Sequence, residues 1–138
     1  WDVGKVTVMN YMFHQASAFN GDVSRWDVSK VVHMRRLFSE ARVFNRDLSK
    51  WNVGQVSDMD KMFNGATSFN QVLCGAAWLD SKASKADMFT GSDGSIAQRP
   101  CSTPQDRQGS HFRPQHRVDA ANWSTKQSFN TLPFFINR

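Results

Sequence analysis

Apolar residues recur along this chain at a fixed interval, and the polar residues between them keep the same step. Trp1, Trp26 and Trp51 are 25 residues apart, and Trp78 follows at 27. Val3, Val28 and Val53 come two residues after each Trp, and Val6, Val31 and Val56 five after. Met9, Met34 and Met59 lie eight after, Met12, Leu37 and Met62 eleven after, and Phe13, Phe38 and Phe63 follow directly. Each unit then passes through Ala16, Ala41 or Ala66 to a Phe-Asn pair (Phe19-Asn20, Phe44-Asn45, Phe69-Asn70) and closes on Val23, Leu48 or Leu73. A period in the twenties marks one supersecondary unit per repeat, stacked on its neighbours because no single unit buries its own apolar face.

Two shorter periods operate inside each unit. Trp26 and Val28 share one face of an extended segment, which predicts a short strand. Met34, Leu37, Phe38 and Ala41 fall at i, i+3, i+4 and i+7, which predicts a helical stripe about two turns long. Ser57 with Asp60, and Thr7 with Asn10, stand where a helix N-cap pair would, and Gly65 where the helix would stop. The expected fold is an α/β repeat solenoid whose coils each combine a short strand, a short helix and a return loop. Its units are 1–25, 26–50, 51–77 and a degenerate 78–91, in which Ala83 and Ala86 thin the core.

From Ser92 the periodicity stops, and all four prolines (Pro100, Pro104, Pro114, Pro133) fall in this polar stretch. It has too little to bury to offset its ordering entropy, so 92–138 is expected to be a mostly disordered tail. Trp123 and Phe129-Asn130 echo the repeat without its helical stripe, Leu132–Ile136 is a short apolar end, and Asn122-Trp123-Ser124 is a formal glycosylation acceptor. Composition agrees with this division. Eleven Phe, five Trp and six Met against one Tyr is an uneven vocabulary in 138 residues, and four Trp, all six Met and seven Phe lie in the periodic part.

The recurrent Asn20, Asn45 and Asn70 require a reason, since a polar residue between core Phe and core Leu is costly unless its amide is bonded. A structural ladder is expected, each amide bonding turn backbone. Asp22 and Asp47 match in position while the third unit has Val72, so a repeated carboxylate metal row fails and turn bonding suits them better. Trp26 and Trp51 are likewise assigned to structure.

The stretch Phe19-Asn20-x-Asp22-Val23-Ser24-x-Trp26-Asp27-Val28-Ser29-x-Val31, followed by Met34-x-x-Leu37-Phe38-x-x-Ala41, resembles the BspA-type repeat of bacterial surface proteins. The same pattern occurs in mycoplasma-type lipoprotein repeats. The resemblance covers residues 1 to about 91. It implies leucine-rich-repeat-like coils, an extracellular or cell-surface location, and adhesion or protein binding, with no catalytic residues to carry over. Members of that family can end in a Leu-Cys unit with a second Cys after Met-Phe-x-Gly. Here Leu73-Cys74 and Met88-Phe89-Thr90-Gly91 fit, with Cys101 ten residues on. A Cys74–Cys101 disulfide pinning the last coil and two free thiols both remain open.

Charge narrows the partner classes. The formal charge is +5, and residues 25–50 alone carry seven Lys or Arg against three acids. Arg35, Arg36, Arg42, Arg46 and Lys50, with Arg25 and Lys30, form the candidate basic band. An acidic protein or an anionic glycan, sulfated or uronic, is the partner it suits. Nucleic acid is disfavoured because the aromatics sit at core-periodic positions and are not free to stack on bases. No nucleophile elbow, phosphate loop or zinc-protease motif is present, and His14, His33, His111 and His116 share no repeat position. Asp58 and Asp60 flank core Met59 and are assigned to a helix start. No metal or cofactor is expected, and no apolar run is long enough to cross a membrane. The start at Trp1, without Met or leader, reads as a fragment or a processed piece. The function expected is a non-catalytic binding or adhesion module. The alternative is a purely structural spacer or C-terminal cap of a longer array.

Overall fold

The structure, a computed structural model, describes residues 1–102. Its regular elements are few: β1 (Val72–Leu73), α1 (Ala76–Leu79) and β2 (Ser95–Ile96), with β2 parallel to β1 in the register Val72 to Ser95 and Leu73 to Ile96. The expected α/β solenoid of leucine-rich-repeat-like coils is therefore corrected. This is a small domain built mostly of turns and irregular backbone, and the first two units contain neither a strand nor a helix.

The apolar stripe of the second unit shows why no helix forms. Leu37 N–H bonds the Met34 carbonyl at 3.2 Å and Ala41 N–H the Phe38 carbonyl at 3.1 Å, so each closes a four-residue turn and not a helical i to i+4 ring. The third residue of each turn is left-handed, Arg36 at φ 54° and Glu40 at φ 60°. Tyr11, Lys61 and Asp87 match Arg36 in this respect, while Gln15, Gly65 and Gly91 match Glu40. Gly65 thus turns the chain at φ 75°; it does not end a helix. A positive φ every four residues keeps the spacing of a helical stripe while excluding the helix.

These turns aim every second N–H sideways. Met34, Arg36, Phe38 and Glu40 donate to the carbonyls of Asp58, Asp60, Met62 and Asn64 at 2.8 to 3.0 Å. Met9, Tyr11, Phe13 and Gln15 donate in the same way to the second unit, and Met59, Lys61, Phe63 and Gly65 to the fourth segment. Units therefore lie side by side, and along these turns N–H groups bonded within the unit alternate with N–H groups bonded to its neighbour.

The expected Trp-Val strands are turns as well. Trp26 N–H closes on the Val23 carbonyl at 3.1 Å and Val31 N–H on the Val28 carbonyl at 3.0 Å, and Asp27 Oδ1 accepts the Ser29 N–H at 3.0 Å between them. Only single bridging pairs (Val8 to His33, His33 to Asp58, Asp58 to Ser84) recur from unit to unit. The N-cap pairs serve other ends: Asn10 Oδ1 accepts the Arg35 N–H at 2.7 Å, and Ser57 Oγ donates to the Val32 carbonyl at 3.3 Å.

Phenylalanine fills the space between units. Phe38 stacks on Phe44 at 4.0 Å within its unit, and on Phe13 and Phe63 of the neighbours at 5.5 and 5.6 Å with nearly parallel planes. Phe44 continues the second column to Phe19 and Phe69 at 5.9 and 6.0 Å. Offset stacking of this kind adds to the area term. Met34, Leu37, Met59, Met62 and Leu48 complete a core that is fully buried in the middle units.

Past residue 77 the pattern bends without stopping. The two residues inserted before Trp78 are taken up as the chain enters α1, which starts after Gly75, where a Cβ would run into the Ser49 carbonyl. Residues 92–101, placed by sequence in the polar tail, run along the third unit's return segment. Asp93, Ser95, Ala97 and Cys101 donate their N–H groups to Phe69, Gln71, Leu73 and Cys74 at 2.9 to 3.1 Å. Cys74 and Cys101 are joined by a disulfide with Cα atoms 5.0 Å apart. Ile96 follows Val23, Leu48 and Leu73 as the residue closing a unit. Trp123, Asn122-Trp123-Ser124, Phe129-Asn130 and Leu132–Ile136 lie outside the described residues.

Candidate functional site

The return segments carry both structural asparagines and outward cations. Asn20 Oδ1 accepts the Asn45 N–H at 2.9 Å, and Asn45 Oδ1 accepts the Asn70 N–H at 3.1 Å, so one amide oxygen per unit ties its successor's turn. The side chains themselves are exposed or half-buried and bond outward along the column. Asp22 and Asp47 each accept the N–H two residues on, at 3.0 and 2.9 Å. Ser24's hydroxyl and N–H hold the Asp22 carboxyl below the usual carboxylate range, with Arg46 and Arg25 adding a smaller pull. Trp51 Nε1 donates to the buried Val23 carbonyl at 2.9 Å, while Trp26 is half-buried and stacks on Trp1 at 6.2 Å.

The basic residues of the second unit divide into two groups. Arg35 Nη1 bonds Asp60 Oδ2 at 3.0 Å and lies 3.8 Å from Asp58 Oδ2, so its charge is matched by two carboxylates of the next unit. Asp60 also accepts the Ser84 hydroxyl and the Ala86 N–H, and these two hydrogen bonds, ahead of Arg35, hold its carboxyl low. Arg36 lies with its guanidinium 5.9 Å from the Tyr11 ring centre and its Nε buried. Arg42, Arg46 and Lys50 are exposed on the return segment, where Arg46 Nε donates to the Asn20 carbonyl at 2.9 Å. The Arg35 pairing was readable: Asp60 follows Arg35 by 25 residues, so opposite charges occupy one repeat position in adjacent units.

His14 is half-buried, with Nδ1 3.1 Å from the Ser39 carbonyl, and His33 lies beside Asp58 in the bridging column. His111 and His116 are outside the described residues. Among the described residues no group of three His, Cys, Asp or Glu is placed to hold a metal ion. No helix among them is long and apolar enough to cross a membrane. The first unit leaves its outer face open: Met12 is 38% exposed where Leu37 and Met62 are 0% exposed.

Turns of one kind recur from unit to unit at the sequence period, as positive φ at Tyr11, Arg36, Lys61 and Asp87 shows. The chain belongs to the family described as "Mycoplasma protein of unknown function, DUF285", which matches residues 1–99. No curated protein and no solved structure gives a significant match.

Proposed function

We propose that this chain is a non-catalytic surface module of the BspA type that binds an anionic partner, a glycan or an acidic protein, through the exposed cations of its second return segment. The observation that carries this reading is the division of the basic residues: Arg35 is matched by carboxylates, whereas Arg42, Arg46 and Lys50 are each exposed on one return segment. Exposed like charges near one another attract an opposite charge, and of these three only Arg46 also bonds the fold, through Nε to the Asn20 carbonyl. Membership in a mycoplasma repeat family supports a cell-surface setting. A glycan array read with the whole chain tests it. Binding confined to sulfated or uronic glycans, or pull-down of an acidic surface protein, supports the reading, and an array and pull-down that are both blank overturn it.

A second reading, a structural spacer or end cap, is favoured by a different feature. The last unit is closed by β2 and the Cys74–Cys101 bond, and Lys85 stands where earlier units have Met, its ammonium bonding the Ser81 and Ala83 carbonyls at 3.1 Å. A polar, stapled end is what terminal repeats need for solubility.

A further inference from the structure

We propose that residues 92–101 form a strap that a dithiol reductant releases, so that the Cys74–Cys101 bond is a latch on one end of the domain and not a support of the whole. The strap is fastened by backbone more than by side chains. Its N–H groups at Asp93, Ser95, Ala97 and Cys101 reach across to Phe69, Gln71, Leu73 and Cys74, but its large apolar side chain, Ile96, is only half-buried. Gly94 lies flat against the Phe69 and Phe89 rings, so the contact there is bare backbone on aromatic. A segment with so little apolar burial opens locally at low cost once its covalent tie is gone. The units beneath it keep their own N–H ladder and Phe stack, to which the strap contributes no ring.

The two sulfurs differ in the way a releasable bond requires. Cys74 is fully buried, while Cys101 is partly exposed, which makes Cys101 the half of the bond nearer to an incoming thiolate. Attack at Cys101 Sγ forms a mixed disulfide and breaks the Cys74–Cys101 bond, and the electron pair leaves on Cys74 Sγ, which takes up a proton. The second thiol of the reductant then displaces the Cys101 sulfur, which leaves as a thiol, and the reductant ends as its own disulfide. Ser49 Oγ lies 3.5 Å from Cys74 Sγ and accepts the Cys74 N–H at 3.1 Å, so the departing sulfur meets a hydroxyl and not bare hydrocarbon.

Hydrogen exchange on the full chain, oxidised and then under dithiothreitol with both thiols confirmed by alkylation, tests the latch. The expected result is a loss of protection of about a hundredfold at Ser95, Ala97 and Cys101, with the Met34, Phe38 and Phe63 amides unchanged. Cys101→Ala should reproduce that reduced pattern without reductant. Strap protection that survives full reduction overturns the proposal, as does loss of protection throughout the domain or a Cys101→Ala protein that exchanges like the oxidised one.

Discussion

Trp78 Nε1 donates to the Leu48 carbonyl at 2.8 Å, repeating across 30 residues the bond that Trp51 makes to Val23 across 28. The extra two residues are absorbed by α1, so the insertion preserves the contact. Each bond is the second to a carbonyl that already accepts the N–H closing its unit's turn. Trp51→Phe keeps most of the apolar volume but removes one of the two hydrogen bonds to the Val23 carbonyl, which retains the Trp26 N–H, and this predicts a loss of about 0.5–1.5 kcal/mol in urea unfolding. Trp26→Phe removes no such bond and is expected to cost less; equal losses would show that ring packing alone matters.

Glu40 holds a left-handed backbone at φ 60° in the position that Gly65 and Gly91 occupy in the next two units. Glycine takes this conformation freely, while a β-branched residue resists it. Glu40→Gly should leave stability unchanged or raise it, since relief of strain offsets the added freedom of the unfolded chain. Glu40→Val should lower it by about 1–2 kcal/mol. A Val variant as stable as the parent would contradict the turn description.

Asp22, Asp27 and Asp60 all have carboxyls held below the ordinary value, by Ser24, Ser29 and Ser84 hydroxyl bonds before any charge. A lowered folded pKa means the folded state binds fewer protons than the unfolded one. Stability from these groups is complete above the unfolded value of about 4 and is lost as pH falls through the lower folded values. Chemical denaturation midpoints should therefore decline below about pH 4, with Asp60→Asn flattening the decline. An Asp60→Asn profile parallel to the parent would remove Asp60 from the account.

The 25-residue period was legible from spacing, because burial repeats as strictly as the Trp, Val, Met and Phe positions do. The elements were not. Met34, Leu37, Phe38 and Ala41 have helical spacing, yet a chain of turns with left-handed Arg36 and Glu40 has the same four-residue step. Only glycines such as Gly65 and Gly91 mark that conformation in a sequence, and six of the eight positions carry other residues. The strap was hidden because Ile96 follows Leu73 by 23 residues, and no Phe-Asn pair announces it. For the candidate site, the exposed Arg42, Arg46 and Lys50 were legible, but the withdrawal of Arg35 required comparing charges across units, a step that reading along one unit omits.

Titration of the whole chain with a heparin oligosaccharide tests the proposed binding edge most directly. The Arg42→Glu/Arg46→Glu/Lys50→Glu protein should bind at least about tenfold more weakly, equal to about 1.4 kcal/mol, and the parent's affinity should fall with added salt. Arg35→Gln, which alters a cation already matched by Asp58 and Asp60, should change affinity by less than about twofold. Unchanged binding by the triple variant, or a loss from Arg35→Gln as large as that of the triple, would contradict the assignment of this edge.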